Sequence, residues 1–332
     1  MALPALSELR RIFSASHITI AGKPWVLGLF EGEKLADDII PLDYSTDKFS
    51  NTVGPLREAR HIRGHFDLAV LLTNSFGTAL AARLGGAKKI AGYPTDARRL
   101  LVNHVIPLEP QYKTLHQTRY YLNIAAQIES ELTGKTFVNF DRAKPHLVVS
   151  ESQKQQARSK LERFGISGKA PIIALNPGAT NSAAKRWPAE RFAGAADRLT
   201  EQAGFQTIIV GAPGDKPVAE QVAQYMRTRP VVLAGKTSIA ELKAVLACAS
   251  LVISNDTGTS HVSAALGIPT VVVFGPTEHI ATRPLSDRAM VVRHDVECSP
   301  CMLRECPIDH RCMTRVEIDD VYTAAQNLLA NV

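Results

Sequence analysis

The sequence predicts an α/β protein made of two doubly wound, Rossmann-like domains, each with a parallel sheet between layers of helices. Short apolar runs alternate with helical patterns along most of the 332 residues. Continuous apolar runs of this length are typical of strands that are buried on both faces of a parallel sheet. Several runs end in polar, glycine-containing loops, as expected at the ligand-binding edge of such a sheet.

The second half of the chain shows this alternation most clearly. Apolar runs predict strands at 171–175, 205–210, 231–234, 251–253, 270–274 and 289–292. Helical patterns lie between or after them, near 188–203, 215–227, 238–249, 259–267 and 317–330. Strand–helix–strand crossovers of this length predict one doubly wound domain.

The first half follows the same pattern with less regularity. Strands are predicted at 17–20, 38–42, 68–72 and 89–93, and helices near 2–13, 52–64, 75–84, 95–103 and 114–132. Residues 133–144 are polar and poorly patterned. We therefore assign residues 1–145 to the first domain and residues 146–332 to the second.

Composition places the chain among globular proteins, with 45% hydrophobic and 21% charged residues. No apolar run reaches the roughly 20 residues that a membrane-spanning helix needs. The amino terminus lacks the basic segment and apolar core of a signal peptide. We therefore expect a cytoplasmic protein.

The net charge of +6 favours acidic partners such as nucleotides, phosphosugars or an anionic membrane surface. No recognised nucleic-acid-binding motif is present, so we expect no nucleic-acid partner. The sequence also has no G-x-S-x-G, G-x-G-x-x-G or G-x-x-x-x-G-K-[ST] motif. Their absence argues against a hydrolase, a nicotinamide-dependent enzyme and a nucleotide triphosphatase.

The most informative segment is 254–285. A predicted strand ends in Ser-Asn-Asp-Thr-Gly, a helical pattern begins at once, and the next strand ends in Gly-Pro-Thr. A helix start offers free N–H groups and a positive dipole end to an anion. Gly258 lets the backbone approach a ligand, while Asp256, Thr257 and His261 add groups that bind hydroxyls and phosphates. These residues predict a site for a phosphorylated, hydroxyl-rich ligand.

A second polar loop follows the first strand of the same domain. Lys185 comes after a turn at Gly178 and just before the helix that begins near Pro188, a position that suits a phosphate contact. Thr180 and Ser182 can add hydroxyl groups from the same loop. The alternative is a surface lysine–arginine pair at a helix start.

Other predicted site residues also have ordinary structural explanations. Asp256 or Thr257 can cap the following helix, and an isolated His261 would more often pack in a core. Asp215, in Val-Gly-Ala-Pro-Gly-Asp, follows another predicted strand and can accept hydrogen bonds from ribose hydroxyls.

Three motifs resemble those of the ADP-heptose:lipopolysaccharide heptosyltransferases, glycosyltransferase family 9, and in particular the heptosyltransferase II type. They are NDTG-x-x-H with A-A-L-G-x-P-T-V-x-x-F-G-P-T, NPGATNSAAKRWPAERFAGAADRL at 176–199, and the weaker LLTNSFGTALAARLGG at 71–86. The resemblance implies the GT-B architecture, in which an acceptor-binding amino-terminal domain and a donor-binding carboxyl-terminal domain face a cleft.

The same resemblance implies an inverting transferase that moves L-glycero-D-manno-heptose from ADP-heptose to the lipopolysaccharide inner core. Its place would be the cytoplasmic face of the inner membrane. The resemblance assigns Asp256 to sugar hydroxyls, and Thr257 and Gly258 to phosphate. With Lys185 and helix N–H groups on the diphosphate, no metal is required. The alternatives are an inactive nucleotide-sugar-binding protein and a related transferase that uses another sugar nucleotide.

The first residues of the chain resemble a segment that lies inside the first domain of the family. Leu6, Leu9 and Phe13 mark one face of a helix. In the family, a strand and a loop containing Gly-Asp precede a helix like residues 4–10, and that aspartate is the proposed catalytic base. We therefore expect that strand and loop to lie before Met1, and we assign no base in this chain.

A cysteine cluster near the carboxyl end is a candidate for a separate metal site. Cys298, Cys301, Cys306 and Cys312 follow the spacing C-x2-C-x4-C-x5-C, which places four soft ligands in one short loop. A tetrahedral zinc ion could use them in a structural role. Reduced, incidental thiols and disulfides are the alternatives, although a cytosolic location favours metal over disulfides.

Overall fold

The chain folds into two compact units, Met1–Ala143 and Lys144–Val332. The computed structural model describes residues 1–42, 50–64, 66–168, 170–180 and 182–330. Described strands in both units pair in parallel, which confirms the α/β class. Within these ranges, no helix has both the length and the apolar character needed to cross a membrane.

The amino-terminal unit combines short parallel strands with helices. Its described elements are α1 (Leu3–Ile12), β1 (Thr19–Gly22), α2 (Pro24–Leu27), β2 (Asp38–Pro41), α3 (Ser50–His61), β3 (Leu68–Val70), α4 (Phe76–Leu84), β4 (Lys89–Gly92), β5 (His104–Val105) and α5 (Gln117–Thr133). Among them, β1 pairs with β2, while β3, β4 and β5 form a second sheet in that order. Helix α1 packs on α5, where Arg11 donates to Glu129 over 2.7 Å.

The prediction of a helix at 95–103 is wrong. In this segment the structure has a single 3₁₀ turn, Arg98–Leu100. Asp96 and Ala97 adopt left-handed backbone angles, with φ of 52° and 59°, which interrupt an α-helix. The buried side chain of Arg98 then donates to the Tyr93 carbonyl over 2.8 Å, so it holds the turn against the end of β4.

The carboxyl-terminal unit contains a doubly wound sheet. Its described elements are α6 (Glu151–Arg163), β6 (Ile172–Asn176), α7 (Ala189–Ala203), β7 (Gln206–Ile209), α8 (Lys216–Tyr225), β8 (Val231–Val232), α9 (Ile239–Leu246), β9 (Leu251–Asn255), α10 (Gly258–Ala265), β10 (Thr270–Val273), α11 (His279–Thr282), β11 (Ala289–Val292), α12 (Arg311–Thr314) and α13 (Ile318–Ala330). The described strands pair in the order β11-β10-β9-β6-β7-β8. The sheet therefore grows outward in both directions from the neighbouring strands β6 and β9, which form its switch point.

Burial explains why this unit was the easier one to predict. Every residue of β6 and of β9 is buried, as their continuous apolar runs require. Helix α7 buries Phe192 and Leu199 against the sheet and ends at Gly204, whose φ of 67° is typical of a helix C-cap. Helix α13 packs on α7, on the edge strand β11 and on its neighbour β10.

Helix α6 was not predicted. Its sequence is strongly polar, and of its residues only Ala157 and Leu161 are buried, so it has little apolar periodicity. A signal was nevertheless present at its start. Ser150 and Gln153 form a capping box, the Ser-x-x-Gln pattern that marks a helix amino terminus.

Candidate functional site

The candidate site lies at the switch point of the carboxyl-terminal sheet. Strands β6 and β9 are parallel neighbours, and Asn176 at the end of β6 is in register with Ser254 near the end of β9. The loops that follow the two strands therefore begin side by side. Such a crevice, outside the carboxyl ends of parallel strands, is where ligands bind in open α/β sheets.

Two buried asparagines connect these loops. Asn176 donates to the hydroxyl of Thr257 over 2.8 Å. Asn255 donates to the Pro177 carbonyl over 2.8 Å and accepts from the Trp187 backbone N–H over 3.0 Å. Because each side-chain amide joins one loop to the other, the relative position of the two loops is fixed before any ligand binds.

Lys185 and Asp256, which belong to different loops, are in direct contact. The Lys185 Nζ donates to Asp256 Oδ2 over 2.8 Å and to the Asp256 carbonyl over 3.4 Å. Thr277, in the loop after β10, donates its hydroxyl to the same Oδ2 over 2.8 Å. The Asp256 side chain is 8% exposed and the Lys185 side chain 27% exposed. The carboxylate thus connects three loops, and its described hydrogen bonds are not those of a helix cap.

The first turn of α10 is open to an anion. Among the described residues, no side chain makes a capping hydrogen bond there, and the Thr257 hydroxyl at the N-cap accepts from Asn176. Gly258 is exposed, and a Cβ built on it would meet no atom within 4 Å. The N–H groups at the start of α10 follow Asp256 closely in the chain, and the ammonium of Lys185, from the other loop, contacts Asp256, so the two together make a binding place for a phosphate group.

Lys185 keeps a hydrogen-bond donor for a ligand. An ammonium group has three N–H donors, and the described contacts with Asp256 use two of them. The remaining N–H and the exposed part of the side chain are accessible to an incoming anion. Asp256 thereby orients the lysine without consuming its capacity to bind phosphate.

The structure places the other predicted residues around this centre. Thr180 is exposed and Ser182 partly buried in the loop after β6, on either side of Asn181, which lies outside the described residues. His261 is partly buried in the first half of α10. Asp215 is 6% exposed and accepts from the Ala212 N–H over 3.0 Å.

The position of Asp215 depends on a glycine. A Cβ on Gly178 would overlap the Asp215 carboxylate, so the turn after β6 and the loop after β7 can touch only because residue 178 lacks a side chain. Asp215 is therefore a packed, hydrogen-bonded group in the turn. Its predicted contact with ribose hydroxyls stays a prediction.

Three contributing residues were missed as site residues by the sequence interpretation, namely Asn176, Asn255 and Thr277. All three stood inside the quoted motifs, and each is a polar residue at or just after the end of a buried strand. That signal, a polar side chain where a strand reaches the carboxyl edge of the sheet, could have identified them.

A cavity of about 410 Å³ lies next to the Lys185 loop. It is lined by Arg186, Pro188, Pro217, Gln221 and His310, among others. None of the predicted donor-binding residues lines this cavity. The hydrogen-bonded groups around Asp256, and not this cavity, therefore form the candidate site.

Three of the clustered cysteines lie between β11 and α12, and the fourth, Cys312, lies in α12. Cys298, Cys301, Cys306 and Cys312 are free thiols in the structure, so no disulfide joins them. Burial, with a contribution from the three neighbouring cysteines, raises the pKa of Cys312 to about 11. Within the described ranges, no three His, Cys, Asp or Glu side chains are gathered around one metal position. Zinc at these cysteines stays a prediction.

Comparisons with known proteins identify the family. The profile of glycosyltransferase family 9 (heptosyltransferase) matches residues 56–311. Lipooligosaccharide heptosyltransferase 2 of Haemophilus influenzae is 31% identical over 242 residues, which cover 71% of this chain and 68% of that protein.

Solved structures agree with this match. A family 9 glycosyltransferase from Veillonella parvula superposes with a TM-score of 0.83 at 25% identity, over 100% of this chain and 93% of the other. The ADP-heptose lipopolysaccharide heptosyltransferase II of Escherichia coli gives a TM-score of 0.79 at 23% identity, over 99% and 94% of the two chains. The second likeness shows a shared fold.

Proposed function

The chain belongs to glycosyltransferase family 9, the heptosyltransferases, and we propose that it transfers L-glycero-D-manno-heptose from ADP-heptose to the lipopolysaccharide inner core. The observation that carries this proposal is the contact of Lys185 with Asp256 beside the uncapped first turn of α10. A positive charge and free N–H groups next to a carboxylate suit a ligand that has both a diphosphate and sugar hydroxyls.

The proposed reaction breaks the bond between the anomeric carbon of the heptose and the diphosphate oxygen. An acceptor hydroxyl forms the new bond from the opposite face of the sugar and loses its proton to a base, while the electron pair of the broken bond stays on the departing ADP. Negative charge therefore grows on the diphosphate in the transition state. Lys185 and the first N–H groups of α10 would stabilise that charge, so the proposed reaction needs no metal.

Asp256 has a separate role in this proposal. Its Oδ2 accepts from both Lys185 and Thr277, which leaves Oδ1 to accept hydrogen bonds from heptose hydroxyls. The same carboxylate would thus orient the lysine towards the leaving group and the sugar towards the acceptor. Correct relative placement of reacting groups is itself a large part of catalysis.

The acceptor and the location are also part of the proposal. The net charge of +6 favours approach to anionic lipopolysaccharide and to the anionic inner face of a membrane. We propose that the enzyme works at this cytoplasmic surface as a peripheral protein and that nucleic acid is not a partner.

The direct test is a transfer assay on purified protein with ADP-heptose, UDP-sugars and GDP-sugars as donors. Lipopolysaccharides truncated at different points of the inner core serve as acceptors, and mass spectrometry detects the added heptose. We expect transfer from ADP-heptose alone and a large loss of activity in Asp256→Ala. Donor binding without transfer to any acceptor would favour an inactive binding protein. Equal use of the three nucleotides would contradict the assigned donor.

A further inference from the structure

One segment that the proposed reaction does not use touches the candidate site in several places. This segment, the cysteine loop, comprises residues 296–312, which follow β11, have little regular secondary structure and end in the first turn of α12. It contains the four clustered cysteines and His310. Its backbone and side chains make hydrogen bonds to two of the three loops that meet at Asp256.

The first set of contacts involves the residue before Lys185. Ala184 is 2% exposed, and its N–H donates to the Arg304 carbonyl over 3.0 Å. Its carbonyl accepts from His310 Nε2 over 2.6 Å. Both backbone polar groups of Ala184 are therefore bound to the cysteine loop, which fixes the peptide planes on either side of Ala184, one of them leading into Lys185.

The second set involves the residues before Thr277. The Ser299 hydroxyl donates to the Gly275 carbonyl over 2.6 Å, and the Met302 N–H donates to the Pro276 carbonyl over 2.8 Å. The packing is close as well, because a Cβ built on Gly275 would lie 3.1 Å from Cys312 Sγ. The loop after β10 is thus bound to the cysteine loop just before the threonine that contacts Asp256.

The two sets of contacts converge on one atom. Lys185 and Thr277 both donate to Asp256 Oδ2 over 2.8 Å, and the cysteine loop is hydrogen-bonded to the residue before each of them. We propose that the cysteine loop positions Lys185 and Thr277 for donor binding, with His310 as a positioning residue that acts through the Ala184 carbonyl. This inference rests on the proposed function, since it names what holds the donor site in shape.

His310 offers the sharpest test because it makes this contact with its side chain. His310→Ala removes the hydrogen bond to Ala184, whereas His310→Gln keeps a side-chain N–H that can donate to the same carbonyl. His294→Ala is the matched control, since His294 precedes the cysteine loop and pairs with Asp320 on α13 over 3.0 Å. Two measurements are made on each full-length variant, namely ADP-heptose affinity by calorimetry and amide hydrogen exchange of residues 183–188 without ligand.

We expect His310→Ala to weaken ADP-heptose binding about fivefold to tenfold, the effect of one lost hydrogen bond. The donor KM should rise by a similar factor with the acceptor KM unchanged. Exchange of the Ala184 and Lys185 amides should be faster without ligand, His310→Gln should restore part of both effects, and His294→Ala should change neither.

Two results would overturn the inference. One is unchanged exchange at residues 183–188 in His310→Ala. The other is faster exchange with wild-type donor affinity, which would show that the loop covers the site without positioning it. If the wild-type protein does not bind ADP-heptose at all, the proposed function fails instead, and the exchange data still decide whether His310 holds the Lys185 loop.

Discussion

Replacing Lys185 by methionine separates the role of the lysine in ligand binding from its role in stability. Lys185→Met keeps the length of the side chain and removes the ammonium group. With two N–H donors on Asp256, Lys185 has one left for a phosphate oxygen. A hydrogen bond to a charged group contributes about 1.5–3 kcal/mol, so ADP-heptose should bind about 10-fold to 150-fold more weakly.

The same substitution should also lower stability. Asp256 is 7% exposed, and without the lysine the described partner of its carboxylate is the Thr277 hydroxyl. An under-paired buried polar group costs about 1–3 kcal/mol, which lowers the melting temperature by about 2–10 °C in a chain with domains of this size. The double variant Lys185→Met/Asp256→Asn should recover part of this loss, because the carboxamide carries no charge that needs a partner.

The assay combines calorimetric titration with ADP-heptose and thermal melting of both variants. Lys154→Met is the control, since Lys154 is similarly exposed at 32% and pairs with Glu151 on α6 over 3.2 Å, far along the chain from the site loops. The expected pattern is recovered stability without recovered affinity in the double variant. Wild-type affinity in Lys185→Met, or restored affinity in the double variant, would refute the reasoning.

Three further predictions concern the fold and the cysteines. Gly178→Ala should destabilise the protein by about 1–3 kcal/mol in urea unfolding, because the added Cβ overlaps the Asp215 carboxylate. Gly214→Ala is the control and should cost little, because a Cβ on Gly214 meets no atom within 4 Å. Equal stability of the two variants would contradict the packing argument. The hydrogen bond from Arg11 lowers the pKa of Glu129 to about 2 from its ordinary 4.5. The ionised Glu129 carboxylate therefore stabilises the folded state above pH 4.5, and this contribution is lost as the pH falls towards 2. In Glu129→Gln the urea midpoint should depend less on pH over that range. An unchanged dependence on pH would contradict this prediction. Elemental analysis of purified protein with thiol titration tests the candidate zinc site at the clustered cysteines, because bound zinc with protected thiols would support it and fully titratable thiols without zinc would contradict it.

Much of the carboxyl-terminal unit could be predicted because its strands are buried on both faces. The runs that become β6 and β9 are continuously apolar, and the topology follows from crossover helices of ordinary length. The amino-terminal unit was harder. The segment around Arg98 has a helical pattern, but left-handed backbone at Asp96 and Ala97 and the burial of the arginine decide its structure.

The candidate site, like the fold, was predictable from the sequence only in part. Motif and loop position predicted that Lys185 and Asp256 lie near one ligand, since both follow strands that end at one edge of the sheet. Their direct contact was not predictable, because it depends on Thr277 and on the buried amides of Asn176 and Asn255, which are far apart along the chain. Nor did the cysteine spacing reveal that the surrounding loop contacts the site, since those hydrogen bonds involve backbone groups, which no side-chain pattern encodes.

A crystal structure with ADP-heptose bound is the most direct test of the central claim. The account predicts diphosphate oxygens about 3 Å from Lys185 Nζ and from the first N–H groups of α10, with heptose hydroxyls on Asp256. A diphosphate bound elsewhere, with Lys185 still donating only to Asp256, would contradict it.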